Sequence, residues 1–395
     1  MHKNIPLTSI DHVFTGAGSY PIEFVFSYNA RIDEKKLLNS FKETVKFFPP
    51  LESQLIIKDN AYWFEKNENG YHFEVVSSDV SLDETEKREI FIDPVATIEG
   101  EPLTRIRLTQ TPKGSVLGVS ISHSIADGFS YFYFLASWSR IFHASQSVEL
   151  GKSIVPPSHQ RELLIQDLNT TGQISSQDLL EHTGLFLKQK RADILRDKLV
   201  WETIKYSNEE LKSLHERTQK ECEVWLSFND VIVASLWKKY MKQWRRNTND
   251  HLTYISCPFD YRRLLTDFPK TYFGNAVSLA STPLSYDRLM SSKLSELAII
   301  VRNSIASINE KYVYDGLKAL GALTSNNGIS INEKIHVCDP ESGLLVTNLS
   351  RLPVKDIDFN AGPPVKYEIL TPANRGAVVL PAHDGVEVRV CCPLD

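Results

Sequence analysis

Cysteine is scarce in this 395-residue chain and poorly placed for cross-linking. The five present, Cys222, Cys257, Cys338, Cys391 and Cys392, are odd in number and show no C-x-x-C spacing. That argues against a disulfide framework and against the common zinc and dithiol motifs, and points to reduced, structural thiols. Positive charge is not in surplus either: Lys and Arg number 44 against 49 Asp and Glu, for a net charge of −5. A chain whose main partner is nucleic acid usually shows the opposite balance. A polyanionic small molecule needs only a local basic patch, so it stays open. No apolar run reaches about 18 residues, and no membrane span is expected. The opening residues, Met1 to Pro6, lack the apolar core of a signal peptide. The expectation is a cytoplasmic protein with no nucleic-acid or membrane partner. G-x-S-x-G elbows, short repeats and low-complexity tracts are also missing.

What is present reads as an α/β protein. The length suits two domains of roughly 200 residues each. Hydrophobic content of 42% and charge of 24% are ordinary for globular chains. Alternation predicts strands over 20–28, 52–65, 71–77, 103–109 and 115–122. Asp33-Glu34 ahead of Leu37, Phe41 and Val45 predict a helix that stops at Pro49-Pro50. A second helix is expected over 130–142. Residues 144–200 carry weak signals, including Thr170-Thr171-Gly172. After them come a strand at 201–204, a capped helix start at Ser207, and a strong helix over 228–243. Strands are expected at 252–258, 276–280, 343–348, 364–370, 376–380 and 385–391, and one helix from Leu289 to Lys311. The predicted division is 1–185 as an N-terminal domain, 186–205 as the connection and 206–395 as a C-terminal domain. The order of elements in the halves is loosely similar.

The densest chemical signal is Val116 to Ser130. An apolar strand runs into His123, and Asp127-Gly128 follow four residues later, before a helix. An imidazole at a strand end, held by a turn, suits a general base. Gly128 is expected to adopt a backbone conformation that a Cβ resists. Asp127 is placed to cap the turn or to meet an arginine. From these residues alone, a core histidine with a capping aspartate is an equally good reading.

Beyond that point the chain resembles the BAHD acyltransferases. His123-Ser-Ile-Ala-Asp127-Gly128 matches their H-x-x-x-D-G motif. Asp260-Tyr-Arg262 with Tyr272-Phe273-Gly274-Asn275 is similar to their D-x-R and Y-F-G-N segment. Asp358-Phe359-Asn360-Ala361-Gly362 stands where the family has D-F-G-W-G, without the middle glycine and tryptophan. Thr347-Asn348-Leu349 replaces the common T-S-W. The opening Pro6 to Asp11 and the ending Gly376 to Val390 match as well.

The resemblance implies two chloramphenicol acetyltransferase-like domains, each a mixed sheet with flanking helices, and an active-site channel at their interface. It implies transfer of an acyl group from acyl-CoA, a co-substrate and not a bound cofactor, to a hydroxyl or amine of a small-molecule acceptor. His123 is the implied base. Asp127, Gly128 and Arg262 support its turn, with Asp127 and Arg262 paired. Thr347 and Asn348 are candidates for contact with the oxyanion or the substrate. A monomer is implied. The altered 358–362 loop implies a reshaped structural element and leaves donor binding open. Two alternatives remain. One is a condensation-type enzyme with a carrier-protein thioester, disfavoured because Ser122 stands where those enzymes double the histidine. The other is a non-catalytic binding protein that kept the fold. Two basic clusters, Lys188, Lys190 and Arg191, and Lys238, Lys239, Arg245 and Arg246, read as solvated faces. His336 near Asp339 and His383 beside Asp384 lack a third ligand, so no metal is expected.

Overall fold

The computed structural model describes residues 4–67, 70–144, 154–165, 173–244 and 252–393. Thr170-Thr171-Gly172, Arg245 and Arg246 lie outside them. Two mixed sheets dominate. The first has five strands in the order Lys366–Ile369, Pro21–Tyr28, Gly114–Ser122, Thr104–Thr111 and Tyr71–Ser77. The second has six: Val277–Ser285, Leu252–Asp260, Gly343–Asn348, Gly376–Pro381, Val386–Cys391 and Trp201–Tyr206. A three-stranded sheet adds Asn4–Pro6 to a hairpin of Ser53–Lys58 and Ala61–Lys66. That hairpin occupies the single strand expected over 52–65. Asp59 and Asn60 both take positive φ, 52° and 57°, which suits a tight two-residue turn.

Gly114–Ser122 is central in the first sheet and buried along its whole length. That explains its run of small and apolar residues. At Gly118 a Cβ would lie 1.9 Å from the Phe91 carbonyl oxygen, so the backbone there has no room for a side chain. The helix Gly128–Ala144 follows at once and buries Phe132, Phe134, Leu135, Trp138 and Phe142. The helix Glu34–Val45 is capped by Asp33, which accepts from the Lys36 amide, and buries Leu37, Phe41 and Val45. In the second half, Phe228–Gln243 starts in a capping box of Ser227 and Asp230.

Two expectations needed correction, and one helix had not been expected. The stretch 289–311 is not one helix. It holds the end of Tyr286–Ser291, all of Leu294–Ala306 and the start of Glu310–Asn327, with Asn309 capping the last. Ser176–Thr183 is also helical, with its own capping box, in a region of weak signals. The strand near 364–370 does not serve the second sheet. Lys366–Ile369 crosses back to pair with Pro21–Tyr28, and Val354, Ile357 and Phe359 join the first core with it. The two halves are therefore interleaved: residues of the 206–395 stretch complete the sheet of the 1–185 stretch.

All five cysteines are free thiols. No helix among the described residues is long and apolar enough to cross a membrane.

Candidate active site

The strand ends at Ser122, so His123 stands in the turn between it and the helix. Its ring stacks on Phe14, with centroids 3.8 Å apart and planes at 11°, and Tyr20 meets it edge-on at 6.0 Å. Asn275 Nδ2 donates to the carbonyls of His123 at 2.8 Å and Ser124 at 3.2 Å, which pins the backbone of the turn. The same amide donates to Asp11 Oδ1 at 2.8 Å, and Asp11 is in turn paired with the buried Arg161. Nδ1 of His123 is buried without a hydrogen-bond partner. Burial pushes the His123 pKa below the ordinary histidine value. Its own carbonyl and the carboxylates of Asp127 and Asp11 recover part of that loss. Burial thus favours the neutral form of the imidazole.

Asp127 is almost fully buried, and both of its oxygens are used. Arg262 Nη1 donates to Oδ2 at 2.8 Å and Nη2 to Oδ1 at 3.1 Å. The Ser130 and Ala276 amides donate to Oδ1 and Oδ2, each at 2.9 Å. Burial alone would raise the Asp127 carboxyl. The Arg262 charge and these hydrogen bonds outweigh it and hold the carboxyl below the usual carboxylate range. Arg262 also donates to the carbonyls of Tyr272 and Gly274 and to Ser130 Oγ, each at 3.0 Å. Asp127 thus acts as a clasp between the histidine turn and the 260–276 segment.

Gly128 does not meet the reason expected for it. It is the first residue of its helix and is not in the left-handed region. A Cβ there would meet only Leu349 Cδ2, at 3.4 Å. Gly128 lines a cavity, beside Leu349, where a Cβ would make ordinary contact.

That cavity opens over His123 and spans about 1090 Å³, solvent mouth included. Both halves build it. Phe14, Tyr20 and His123 come from the first, and Tyr261, Leu317 and Thr347 from the second. Thr347 and His123 thus share one lining, whereas Asn348 is placed elsewhere. Asn348 is exposed, donates to Asn229 Oδ1 at 2.8 Å and accepts from the Ser350 amide. Strand alternation sends these neighbours to opposite faces.

The basic clusters are engaged away from the cavity. Lys188 pairs with Asp339, and Lys190 with Glu333. Arg191 donates to the carbonyls of Val13, Thr15, Ala17 and Ile335. Lys238 donates to the Ser292 carbonyl, and Lys239 lies 3.9 Å from Glu202. His336 contacts the Gln189 carbonyl, and Asp384 accepts from Asn208. The 358–362 loop packs on the far end of the long helix: Phe359 contacts Trp138 and Phe142, and the Asp358 amide and carbonyl both bond Ser139. Asn360, in place of the family's middle glycine, takes the left-handed φ of 59° that asparagine tolerates.

A family model described as the Transferase family matches residues 1–395. The chain belongs to the BAHD acyltransferases. This acyltransferase is 25% identical to anthranilate N-benzoyltransferase protein 1 of Dianthus caryophyllus, over 89% of the chain and 80% of the relative. Hydroxycinnamoyl-CoA:piscidic acid hydroxycinnamoyltransferase of Actaea racemosa is 23% identical, over 75% and 71%. Among solved structures, TRI101 of F. sporotrichioides, complexed with coenzyme A and T-2, superposes with a TM-score of 0.75 at 14% identity, covering 98% and 95% of the two chains. The acyltransferase therefore has the chloramphenicol acetyltransferase-like fold.

Phe14, Tyr20, Asn275 and the cavity-lining helix Glu310–Asn327 had no role in the sequence reading. Asn275 was visible only as a member of a matched segment. Phe14 carries no local signal, and Tyr20 was read only as the start of the strand expected over 20–28.

Proposed function

We propose that this acyltransferase moves an acyl group from an acyl-CoA thioester onto a hydroxyl or amine of a small-molecule acceptor, with His123 as the general base and no acyl-enzyme intermediate. One observation carries the reading: the His123 imidazole, stacked on Phe14 and with its turn pinned, lines a cavity that both halves of the chain build. The acceptor O–H or N–H gives its proton to His123 as its heteroatom attacks the thioester carbonyl. A tetrahedral oxyanion forms. It collapses by breaking the C–S bond, and the leaving thiolate recovers the proton from the imidazolium. The products are the ester or amide and free coenzyme A. A thiolate leaves readily because a thiol's pKa is only about 8.5. A well-placed base contributes roughly 100- to 10,000-fold.

Ser122 supports free acyl-CoA over a carrier-bound donor. It is fully buried and bonded to Thr97 and Ser124, so that position offers no second imidazole. One chain completes the cavity, which supports action as a monomer. Incubating the protein with acetyl- or benzoyl-CoA and a mixed acceptor pool tests the reading. Acceptor-dependent thiol release with an acylated product in the mass spectrum is expected; transfer from acyl-carrier protein alone would reject it.

Thr347 is the residue to which we assign the oxyanion contact. No hydrogen bond to another described residue holds its hydroxyl, and it lines the cavity with His123. Thr347→Val should lower kcat roughly 100-fold with little change in KM, as loss of one such donor does. Steady-state kinetics with an accepted donor check this, and an unchanged kcat removes the role.

A further inference from the structure

The wall of the cavity specifies more than a location. Among its described lining residues there is no lysine or arginine and only one carboxylate, Asp127. That carboxylate is fully occupied by Arg262 and two backbone amides. The hydroxyls of Thr371 and Tyr261 are also engaged, with the Glu23 amide and the Asn275 carbonyl. Most of the remaining surface is aliphatic: Val313, Leu317 and Leu320 of the helix Glu310–Asn327, with Leu185, Leu279 and Leu349. Leu349 stands where the family's common T-S-W has its tryptophan, so that wall is aliphatic too.

We infer that the acceptor is an uncharged molecule with a mainly hydrocarbon body, a lipophilic alcohol and not a carboxylic acid or an alkylammonium. This deepens the acyl-transfer reading and rests on it. An ionised group carried into such a cavity loses its hydration and meets no partner of opposite charge. An alkylamine, with a pKa near 10.4 in water, must also shed a proton before it can attack. The phosphates of coenzyme A stay outside, because the pantetheine arm separates them from the thioester. The two relatives named above carry the names of acid acceptors, and the described lining residues of this cavity include no lysine or arginine to receive a carboxylate.

Pairs that differ in charge at nearly constant shape test the inference. Full-length protein is supplied with acetyl- or benzoyl-CoA. The acceptors are ω-hydroxydecanoate against its methyl ester, hydroxycyclohexanecarboxylate against its methyl ester, and decanol against ω-aminodecanol. The neutral member of each pair should win by at least about 100-fold in kcat/KM, as expected for an unpaired buried charge. Calorimetric binding to the His123→Ala protein measures the same preference without turnover. Charged members used or bound as well as neutral ones overturn the inference, as does no binding by any neutral member. Selective binding of the neutral members with no transfer to any of them leaves the inference standing and rejects the acyl-transfer reading. Leu317→Arg should shift the ester-to-acid ratio at least about tenfold towards the acid. If that variant does not fold, the wild-type ratios still decide.

Discussion

Replacing Arg262 with methionine should cost the fold about 3–5 kcal/mol, the usual effect of stranding one member of a buried ion pair. Arg262 is 1% exposed, and its partner Asp127 would keep a charge in the interior with only two amides to answer it. Four further acceptors, the Tyr272 and Gly274 carbonyls, Ser130 Oγ and Asp260 Oδ1, would lose a donor as well. Urea denaturation of the two proteins measures the difference. The double variant Asp127→Asn with Arg262→Met removes both charges and should recover part of the loss. A loss under about 1 kcal/mol for the single variant would show that the pair does not hold the turn. Acid should expose the same clasp. The folded-state pKa of Asp127 lies below its unfolded value, so the stabilisation is complete above the ordinary carboxylate range and disappears as pH falls through the lowered value.

The second large effect is on rate. His123→Ala should lower kcat by roughly 100- to 10,000-fold, the range for a lost general base. The fold should survive, because the Asn275 bonds that pin the turn go to the His123 and Ser124 carbonyls, which the substitution leaves in place. Circular dichroism and a melting curve establish that the variant is folded, and single-turnover assays measure the step. A folded variant with full turnover would place the base elsewhere.

The legible parts of this chain were those with strong local patterns. His123, Asp127 and Gly128 sit in a short window where strand period gives way to helix period. Phe228–Gln243 showed a strong helical pattern, and the helix after Ser207 showed its cap. Longer-range features were another matter. Arg262 lies 135 residues from Asp127, and only the resemblance to a known motif linked them. Lys366–Ile369 reads as a strand, but nothing in four residues says which sheet it joins. Glu310–Asn327 is rich in small residues, among them Gly316, whose Cβ would lie 2.7 Å from the His182 carbonyl. Its glycines weaken the helical pattern locally, and tertiary packing compensates. The expectation for Gly128 failed because the helix starts at that residue, with a backbone conformation open to any residue. Asn348 failed because one step along a strand changes the face.

The dependence of kcat/KM on pH, measured for the wild type and for His123→Ala with the same donor and acceptor, tests the role of the imidazole most directly. Only the neutral ring accepts a proton, so the wild-type value should rise with pH and level off at an apparent pKa below about 6.5. Burial sets that direction, because it lowers the His123 pKa. The same limb should be missing from the residual activity of the variant. An acidic limb that persists without His123, or a wild-type plateau reached only well above the ordinary histidine range, would contradict base catalysis by this residue.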